Sequence, residues 1–133
     1  MKYKQMINGL VIYKHVMPGD CHFTIHNARG SLIAASKSFR NQEWYEIGLS
    51  LMQDMLALAP CFFKEVQDNF GEELKGFSGI LIRKSKRGQC SFDFITESGN
   101  RLLSSTVFVD ERAVQAVLAQ MQKLVIKSWY DCD

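Results

Sequence analysis

Residues 21–39, CHFTIHNARGSLIAASKSF, and residues 90–108, CSFDFITESGNRLLSSTVF, decide the fold because they are two versions of one pattern. Each begins with a cysteine, has a glycine in its middle and a serine in its second half, and ends on a phenylalanine. The second version follows the first by 69 residues, and the same offset aligns residues 10–56 with residues 79–125 without a gap. One register kept over so long a span indicates a tandem duplication.

Each copy is predicted to fold as three strands followed by a helix. Residues 10–15 and 79–84 are apolar and rich in β-branched side chains, which is typical of strands. The turn after each run contains a glycine, as a hairpin with positive φ requires. A second strand follows in each copy, and a third strand runs through Ser36 or Ser105.

The second strand of each copy shows the period of two that assigns side chains to opposite faces of a sheet. In the first copy one face of the strand has Cys21, Phe23 and Ile25, and the other face has His22, Thr24 and His26. In the second copy one face has Cys90, Phe92 and Phe94, and the other has Ser91, Asp93 and Ile95. We therefore expect the first set of each copy to face the core.

The period changes to that of a helix after Phe39 and Phe108. Asn41 and Asp110 are good N-caps, and an acidic residue soon after each suits the helix dipole. Apolar residues or glycine then recur at helical spacing and predict a core face. These positions are Tyr45, Gly48, Leu49, Met52 and Leu56 in copy one, and Val114, Val117, Leu118, Met121 and Val125 in copy two.

The fold class expected from this pattern is α+β. Because three strands are marginal alone, two β-β-β-α repeats are predicted to form one six-stranded antiparallel sheet, with both helices on one face and a pseudo-twofold axis. Residues 1–133 form a single domain of two repeats, 9–56 and 78–126, a linker, 57–77, and a C-terminal tail, 127–133. The spacing of Phe62, Phe63, Val66 and Phe70 predicts a short linking helix.

The stretches EIGLSLMQ, at 46–53, and AVLAQMQ, at 116–122, complete the two copies. Each copy thus has a glycine turn, a strand of small residues that ends in an aromatic residue, and a helix of this type. This pattern, present in both copies, resembles the YegP-like family of small tandem-repeat proteins. The resemblance covers both repeats. It implies the duplicated fold and implies no reaction, cofactor or catalytic residue, because the family has no assigned function.

Composition places the chain among ordinary globular proteins. Apolar residues make up 47% and charged residues 23%, and the net charge of +2 is too small by itself to imply a nucleic-acid or an acidic partner. No apolar run of about 20 residues and no signal-peptide core is present, so we expect a cytoplasmic protein without a membrane partner. The four cysteines, Cys21, Cys61, Cys90 and Cys132, lack CxxC spacing and are expected to be reduced thiols.

No catalytic, cofactor-binding or metal-binding residue is predicted. Cys21 with His22 and His26 is the nearest approach to a nucleophile and base, but strand alternation puts the thiol on the opposite face from both imidazoles. The two histidines, with His15 on the neighbouring strand, make up half of a metal site at most. Solvent-facing histidines are the simpler interpretation.

The favoured hypothesis is a non-enzymatic protein-interaction module. It would bind another protein or itself through exposed sheet edges and four aromatic residues outside the repeats, Phe62, Phe63, Trp129 and Tyr130. Trp44 adds a further aromatic residue beside the core stripe of the first helix. The simpler role for the linker aromatics is to fill the core.

The alternative hypothesis is a nucleic-acid-binding protein. The only dense basic run, with Arg83, Lys84, Lys86 and Arg87, lies on a predicted hairpin tip, and such tips can bind phosphates. A solvated loop that protects an edge strand is the simpler role for this run. An enzyme of unknown class is the third hypothesis.

Overall fold

Nine strands form one sheet in the described part of the chain, in the order β5-β6-β7-β8-β4-β3-β2-β1-β9. The computed structural model describes residues 2–7, 9–58, 61–65, 79–121 and 130–131, and at 7, 57–58, 61–65 and 130–131 it describes the backbone only. The elements in chain order are β1 Lys2–Ile7, β2 Leu10–Met17, β3 Asp20–Asn27, β4 Leu32–Ser36, α1 Gln42–Leu58, β5 Cys61–Glu65, β6 Gly79–Lys84, β7 Cys90–Ile95, β8 Arg101–Ser105, α2 Glu111–Met121 and β9 Tyr130–Asp131.

The predicted α+β class with an antiparallel sheet is confirmed, but two details of the prediction were wrong. The sheet has more than six strands, because β1, β5 and β9 lie outside the segments predicted as strands. Phe62 and Phe63, which were expected in a linking helix, lie instead in strand β5, which pairs in parallel with β6. Pairing with the otherwise open edge of β6 satisfies backbone groups of both strands. Val66 and Phe70 lie outside the described residues.

One apolar cluster joins both helices to the sheet. The predicted core positions of α1 and α2 are all buried, apart from Val125, which lies outside the described residues. Their N-caps form as expected: Asn41 Oδ1 accepts the Trp44 N–H at 2.9 Å, and Asp110 Oδ1 accepts the Ala113 N–H at 2.9 Å. These caps satisfy backbone donors that no helical partner can reach.

The centre of the sheet is the antiparallel pairing of β4 with β8. Ala35 lies opposite Ser104 in this register. Just beyond the pairing, the Lys37 N–H donates to the Leu102 carbonyl at 3.0 Å, and the Thr106 N–H donates to the Ile33 carbonyl at 2.7 Å. The two halves of the chain are therefore joined by a continuous backbone ladder.

A serine hydroxyl continues the hydrogen bonding where each third strand leaves the sheet. Ser36 Oγ accepts the Phe23 N–H at 2.9 Å and donates to the Lys37 carbonyl at 2.9 Å. Ser105 Oγ accepts the Phe92 N–H at 2.8 Å and donates to the carbonyl of the following residue at 2.8 Å. Each hydroxyl thus replaces a missing backbone partner in the middle of a core strand.

Replacing Ser36 with alanine is expected to lower the free energy of unfolding by about 1–3 kcal/mol, because the Phe23 N–H loses its acceptor inside the protein. Urea denaturation measures the change. Ser50→Ala, on the exposed side of α1, is the matched control and should change stability by less than about 0.5 kcal/mol. Equal effects of the two substitutions would contradict a structural role for the Ser36 hydroxyl.

Gly48 allows α1 to approach the sheet closely. A Cβ atom at this position would lie 2.5 Å from Cε1 of Phe39, whose ring is buried. In α2 the corresponding residue is Val117, and Phe108 is only half-buried. The glycine therefore makes room for the Phe39 ring, and the valine leaves less room for its counterpart.

Cys21 and Cys90 are buried free thiols on the core side of the sheet, as the strand alternation predicted. Strands β3 and β7 are separated by β4 and β8. Three strand spacings amount to about 14 Å, whereas a disulfide needs Cα atoms within about 7 Å. Burial also raises the pKa of the Cys90 thiol. Both cysteines therefore serve as small core residues.

Candidate functional sites

A groove of about 680 Å³ lies along one side of α1. Three parts of the chain provide most of its lining: residues 37–40, the exposed side of α1, and the turn at residues 96–100 between β7 and β8. The helix thus faces a turn from the other half of the molecule across this groove. We call it the α1 groove.

Three large apolar side chains of α1 line this groove and are exposed to solvent. Trp44 is 55% exposed, Ile47 45% and Leu51 44%. Their spacing of three and four residues places them on one side of the helix. Scattered exposed apolar residues are normal, whereas a contiguous row beside a groove is typical of an interaction site.

The lining of the α1 groove also contains basic and polar residues. Lys37 and Arg40 are the only charged residues among the described residues of the lining. The turn contributes the side chains of Thr96, Ser98 and Asn100, two hydroxyls and an amide. The groove therefore combines an apolar row with positive charge and with neutral hydrogen-bonding groups.

Backbone hydrogen bonds hold the basic part of the groove in place. Cys21 and Phe39 exchange both of their backbone hydrogen bonds, each at 2.8 Å. The bond from Lys37 to the Leu102 carbonyl ties the same segment to β8. A site built on a fixed segment needs little ordering when a partner binds.

The second helix lacks the apolar row. The residues of α2 that lie 69 positions after Trp44, Ile47 and Leu51 are Ala113, Ala116 and Gln120. These small or polar side chains are compatible with the same helix and the same caps. The fold therefore does not require large apolar residues on this side of a helix.

The three histidines of the chain lie together on the outer face of the sheet. His15 on β2 is the cross-strand neighbour of His22 on β3, and their rings stack with centroids 4.6 Å apart. The ring of His26 contacts that of Tyr13 edge to face at 5.3 Å. With Lys2 of β1 these residues line a shallow depression with a volume of about 550 Å³. We call this surface the histidine face.

Thr24 links two of the imidazole rings. His26 Nδ1 lies 3.2 Å from the Gly30 carbonyl oxygen, so this nitrogen carries a proton and donates it. Thr24 Oγ1 lies 3.0 Å from His26 Nε2 and 3.3 Å from His15 Nε2. In the neutral cluster the hydroxyl donates to His26, and His15 donates to the hydroxyl oxygen.

Asp20 orients the third ring. Its Oδ1 accepts a hydrogen bond from His22 Nδ1 at 3.1 Å and another from the Ser38 hydroxyl at 2.6 Å. These two bonds, the one from Ser38 first, hold the pKa of the Asp20 carboxyl below its usual value. The carboxylate is thereby engaged by two neighbours.

The environment of His15 favours its neutral form. Partial burial is the first cause that lowers its pKa, and the nearby His22, Lys2 and His26 lower it further. In the unfolded chain the same imidazole takes up a proton near its ordinary pKa of 6.5. The contribution of His15 to stability is therefore fully present above pH 6.5 and is lost as the pH falls below it.

Acidification from about pH 7.5 to about pH 5.5 is expected to destabilise the native chain more than a His15→Gln variant, since glutamine does not titrate. Urea midpoints at the two pH values measure the difference. Asp20 does not interfere, because its lowered pKa affects stability only below its ordinary value of 3.8. Equal losses of stability in the native chain and the variant would contradict the attribution of this pH dependence to His15.

The structure separates the aromatic residues predicted to bind a partner. Phe62 and Phe63 lie in β5 and Tyr130 lies in β9, at opposite edges of the described sheet. About eight strand spacings, roughly 38 Å along the sheet, lie between these edges. Trp129 lies outside the described residues. On one copy of the chain these aromatics therefore belong to two separate edges.

The predicted basic hairpin is present, but Arg83, the first of its four basic residues, forms an ion pair within the protein. Arg83 Nη2 lies 2.9 Å from Asp93 Oδ2, and this carboxylate is completely buried. Lys86 and Arg87 are exposed in the turn between β6 and β7, and Lys84 is half-buried. The nucleic-acid hypothesis stays a prediction that rests on the last three residues, because Arg83 is needed to neutralise Asp93.

Neither of the two chemical sets considered from the sequence is assembled among the described residues. Cys21 faces the core, whereas His22 and His26 face outward, so thiol and base are on opposite sides of the sheet. In the part of the chain that the structure describes, no group of three histidine, cysteine, aspartate or glutamate side chains is placed to hold a metal ion. None of the helices described there is long and apolar enough to span a bilayer.

Comparison of the chain with models of known families, with curated proteins and with solved structures gives no match. The α1 groove and the histidine face therefore have to be interpreted from their own geometry.

Proposed function

We propose that the protein is a non-enzymatic interaction module that binds a segment of another protein in the α1 groove. The observation that carries the proposal is the exposed row of Trp44, Ile47 and Leu51, which lines a groove whose charged lining residues are Lys37 and Arg40. The chemistry of this lining selects an acidic segment with large apolar side chains.

Two properties of protein interfaces support this proposal. Tryptophan and arginine are enriched among the residues that contribute most of the binding energy, and the groove contains one of each, Trp44 and Arg40. Positive charge at the rim attracts an acidic partner and sets its orientation. An apolar anchor of the partner would pack between the α1 side chains and the turn at residues 96–100.

We also propose that the chain is a fused duplication with a pseudo-twofold axis between β4 and β8. The β4–β8 register supports it, because Ala35 and Ser104, 69 residues apart, lie opposite each other. The paired serine bonds, the paired helix caps and the Cys21–Phe39 and Cys90–Phe108 bridges recur with the same offset. The resemblance to the YegP-like family rests on the same pattern and is likewise our proposal.

If the chain is a duplication, the two helices can be compared to test the proposed function. Two copies that share a scaffold are free to differ wherever the scaffold does not constrain them, and α1 and α2 differ on the side that lines the groove. The large side chains of α1 are therefore attributed to binding and not to folding. Ile47 and Ala116 form a matched pair of exposed positions for testing this.

Selection from a displayed library of random peptides tests the proposal. We expect the native chain to enrich peptides that combine acidic residues with tryptophan, phenylalanine or leucine, and we expect Ile47→Asp to weaken their binding by at least about tenfold. A carboxylate in the apolar row is desolvated by the peptide without gaining a partner. Fluorescence anisotropy of a labelled peptide measures the affinity.

Ala116→Asp is the matched control, because it places the same carboxylate at the same position of the other helix. It should leave the affinity within about twofold of the native value. Lys37→Glu with Arg40→Glu should reverse the preference for acidic peptides. Peptides without an acidic bias, or equal effects of the Ile47 and Ala116 substitutions, would rule out the α1 groove as the binding site.

A further inference from the structure

The histidine face lies on the opposite side of the sheet from the core, and the fold does not require histidines there. The residues 69 positions after His15, His22 and His26 are Lys84, Ser91 and Ile95, and they occupy the corresponding strands β6 and β7. β6 and β7 thus form an antiparallel pair without imidazoles, in a register shifted by one residue so that Lys84 lies opposite Cys90. The presence of all three histidines of the chain on this one surface needs an explanation other than folding.

The rings are held in fixed orientations. Thr24 and the Gly30 carbonyl fix His26, Thr24 also fixes His15, and Asp20 fixes His22. Ser38 in turn holds Asp20. Side chains whose orientation is set by neighbours in this way form a preorganised site, which loses little entropy when a ligand binds.

These hydrogen bonds leave two ring nitrogens for another partner within the described residues. They are Nδ1 of His15 and Nε2 of His22, on rings stacked at 4.6 Å. When an imidazole is protonated, both of its nitrogens donate. A protonated His15 and a protonated His22 would therefore offer two charged N–H donors on neighbouring stacked rings.

The other charges around this surface are mostly positive. On β1, Lys2 lines the surface, and its Nζ lies 4.2 Å from the centre of the Tyr13 ring. Next to it, β2 contributes Tyr13 and His15. The negative charge on β3 is Asp20, which is already bonded to His22 and Ser38. The lining residues from β4 and the turn before it, Asn27, Ala28, Gly30 and Leu32, carry no charge, and the same turn bears the exposed cation Arg29.

We propose that the histidine face binds an oxyanion, such as a sulfate ion or a phosphate group, and binds it more tightly as the pH falls below about 6.5. Lys2, His15 and His22 provide the donors. Partial burial and then the like charges of His22, Lys2 and His26 lower the pKa of His15, and a bound anion would counteract the repulsion among those charges. The site is separate from the α1 groove, so it stands or falls independently of the proposed function.

Titration with inorganic sulfate tests the proposal, because sulfate keeps its full charge across the relevant range whereas phosphate does not. Isothermal titration calorimetry on the whole chain at about pH 5.5 and about pH 8 is expected to show at least tenfold tighter binding in acid. A parallel titration of the histidine ring protons by NMR should show that sulfate raises the pKa of His15. Equal affinity at both pH values, or no binding in acid, would overturn the proposal.

A pair of double variants separates this site from the general charge of the chain. His15→Gln with His22→Gln removes the two donors and should weaken sulfate binding in acid by at least about tenfold. Lys86→Ser with Arg87→Ser removes two positive charges elsewhere and should leave it within about twofold. Circular dichroism verifies that both variants fold. An equal loss in the two variants would mean an adventitious ion only and would sink the proposal.

A second titration, with phenyl phosphate at about pH 5.5, distinguishes a free ion from an esterified group. Tighter binding than that of inorganic phosphate would support an ester ligand, with the Tyr13 ring beside the site available to contact its organic part. Equal binding of the two would support a free oxyanion. In either case the dependence on His15 and His22 must persist, and its absence would overturn the proposal.

Discussion

Replacing Arg83 with methionine is expected to lower the free energy of unfolding by about 3–5 kcal/mol, the cost typical of breaking a buried ion pair by removing one partner. The Asp93 carboxylate has no solvent exposure, and the guanidinium of Arg83 lies 2.9 Å from it. Methionine retains much of the volume of the side chain and removes the charge. Denaturant titration measures the loss, which is a large part of the stability of a small domain.

A double variant identifies the cause. Arg83→Met together with Asp93→Leu removes both charges and is expected to recover most of the stability lost in the single variant. Lys86→Ser, in the exposed turn of the same hairpin, should be nearly neutral. The ion-pair explanation is wrong if Arg83→Met lowers stability no more than Lys86→Ser does. It is also wrong if adding Asp93→Leu to Arg83→Met lowers stability further.

This result also determines how the nucleic-acid hypothesis should be tested. Because a variant without Arg83 is expected to be less stable, a loss of its affinity for nucleic acid would not show that the hairpin binds nucleic acid. Lys86→Ser with Arg87→Ser is the informative pair, because both side chains are exposed. If the hypothesis holds, this pair reduces both the affinity and its dependence on salt.

Replacing Tyr45 with alanine is expected to cost about 3–5 kcal/mol, as large-to-small substitutions of buried aromatic residues do. The Tyr45 ring is 1% exposed and packs edge to face against Phe23 at 6.1 Å and Phe39 at 6.0 Å. Alanine would leave a cavity between α1 and the sheet. Thermal and denaturant unfolding measure the loss.

Tyr45→Phe is the control, because it keeps the ring and removes only the hydroxyl. The hydroxyl is buried and has no hydrogen-bond partner among the described residues, and burial raises its pKa. Removing an unsatisfied buried group should therefore leave stability unchanged or raise it by up to about 1 kcal/mol. A loss comparable to that of Tyr45→Ala would show that the hydroxyl, and not the packing of the ring, stabilises this region.

The strands β2–β4 and β6–β8 and the two helices could be predicted because their signals are local. Strand alternation, glycine turns and the N-caps Asn41 and Asp110 act within a few residues, and the offset of 69 repeats each signal. The added strands could not be predicted in this way. Lys2–Ile7 lacks a strict alternation of polar and apolar residues and joins the sheet by pairing with β2, and Cys61–Glu65 joins by pairing with β6. Such pairing depends on tertiary contacts.

The sites differ in how far the sequence could reveal them. The contact of His15 with His22 follows from the hairpin between β2 and β3, so it was within reach of the sequence. The burial of Asp93 could not be predicted, because the alternation of β7 suggested a polar side chain that faces solvent. For the α1 groove, the spacing of Trp44, Ile47 and Leu51 was visible, but only the fold shows that they are exposed. Comparing them with the small residues of the second helix could have provided the signal.

Site-specific photo-crosslinking in the native host shows whether the α1 groove binds another protein. A benzophenone amino acid is placed at position 47 on α1 or, as the matched control, at position 116 on α2. The proposal predicts a discrete protein adduct from position 47 that is absent from position 116 and that disappears when Lys37 and Arg40 are replaced with glutamate. The absence of an adduct at position 47, or the same adduct from both positions, would contradict it.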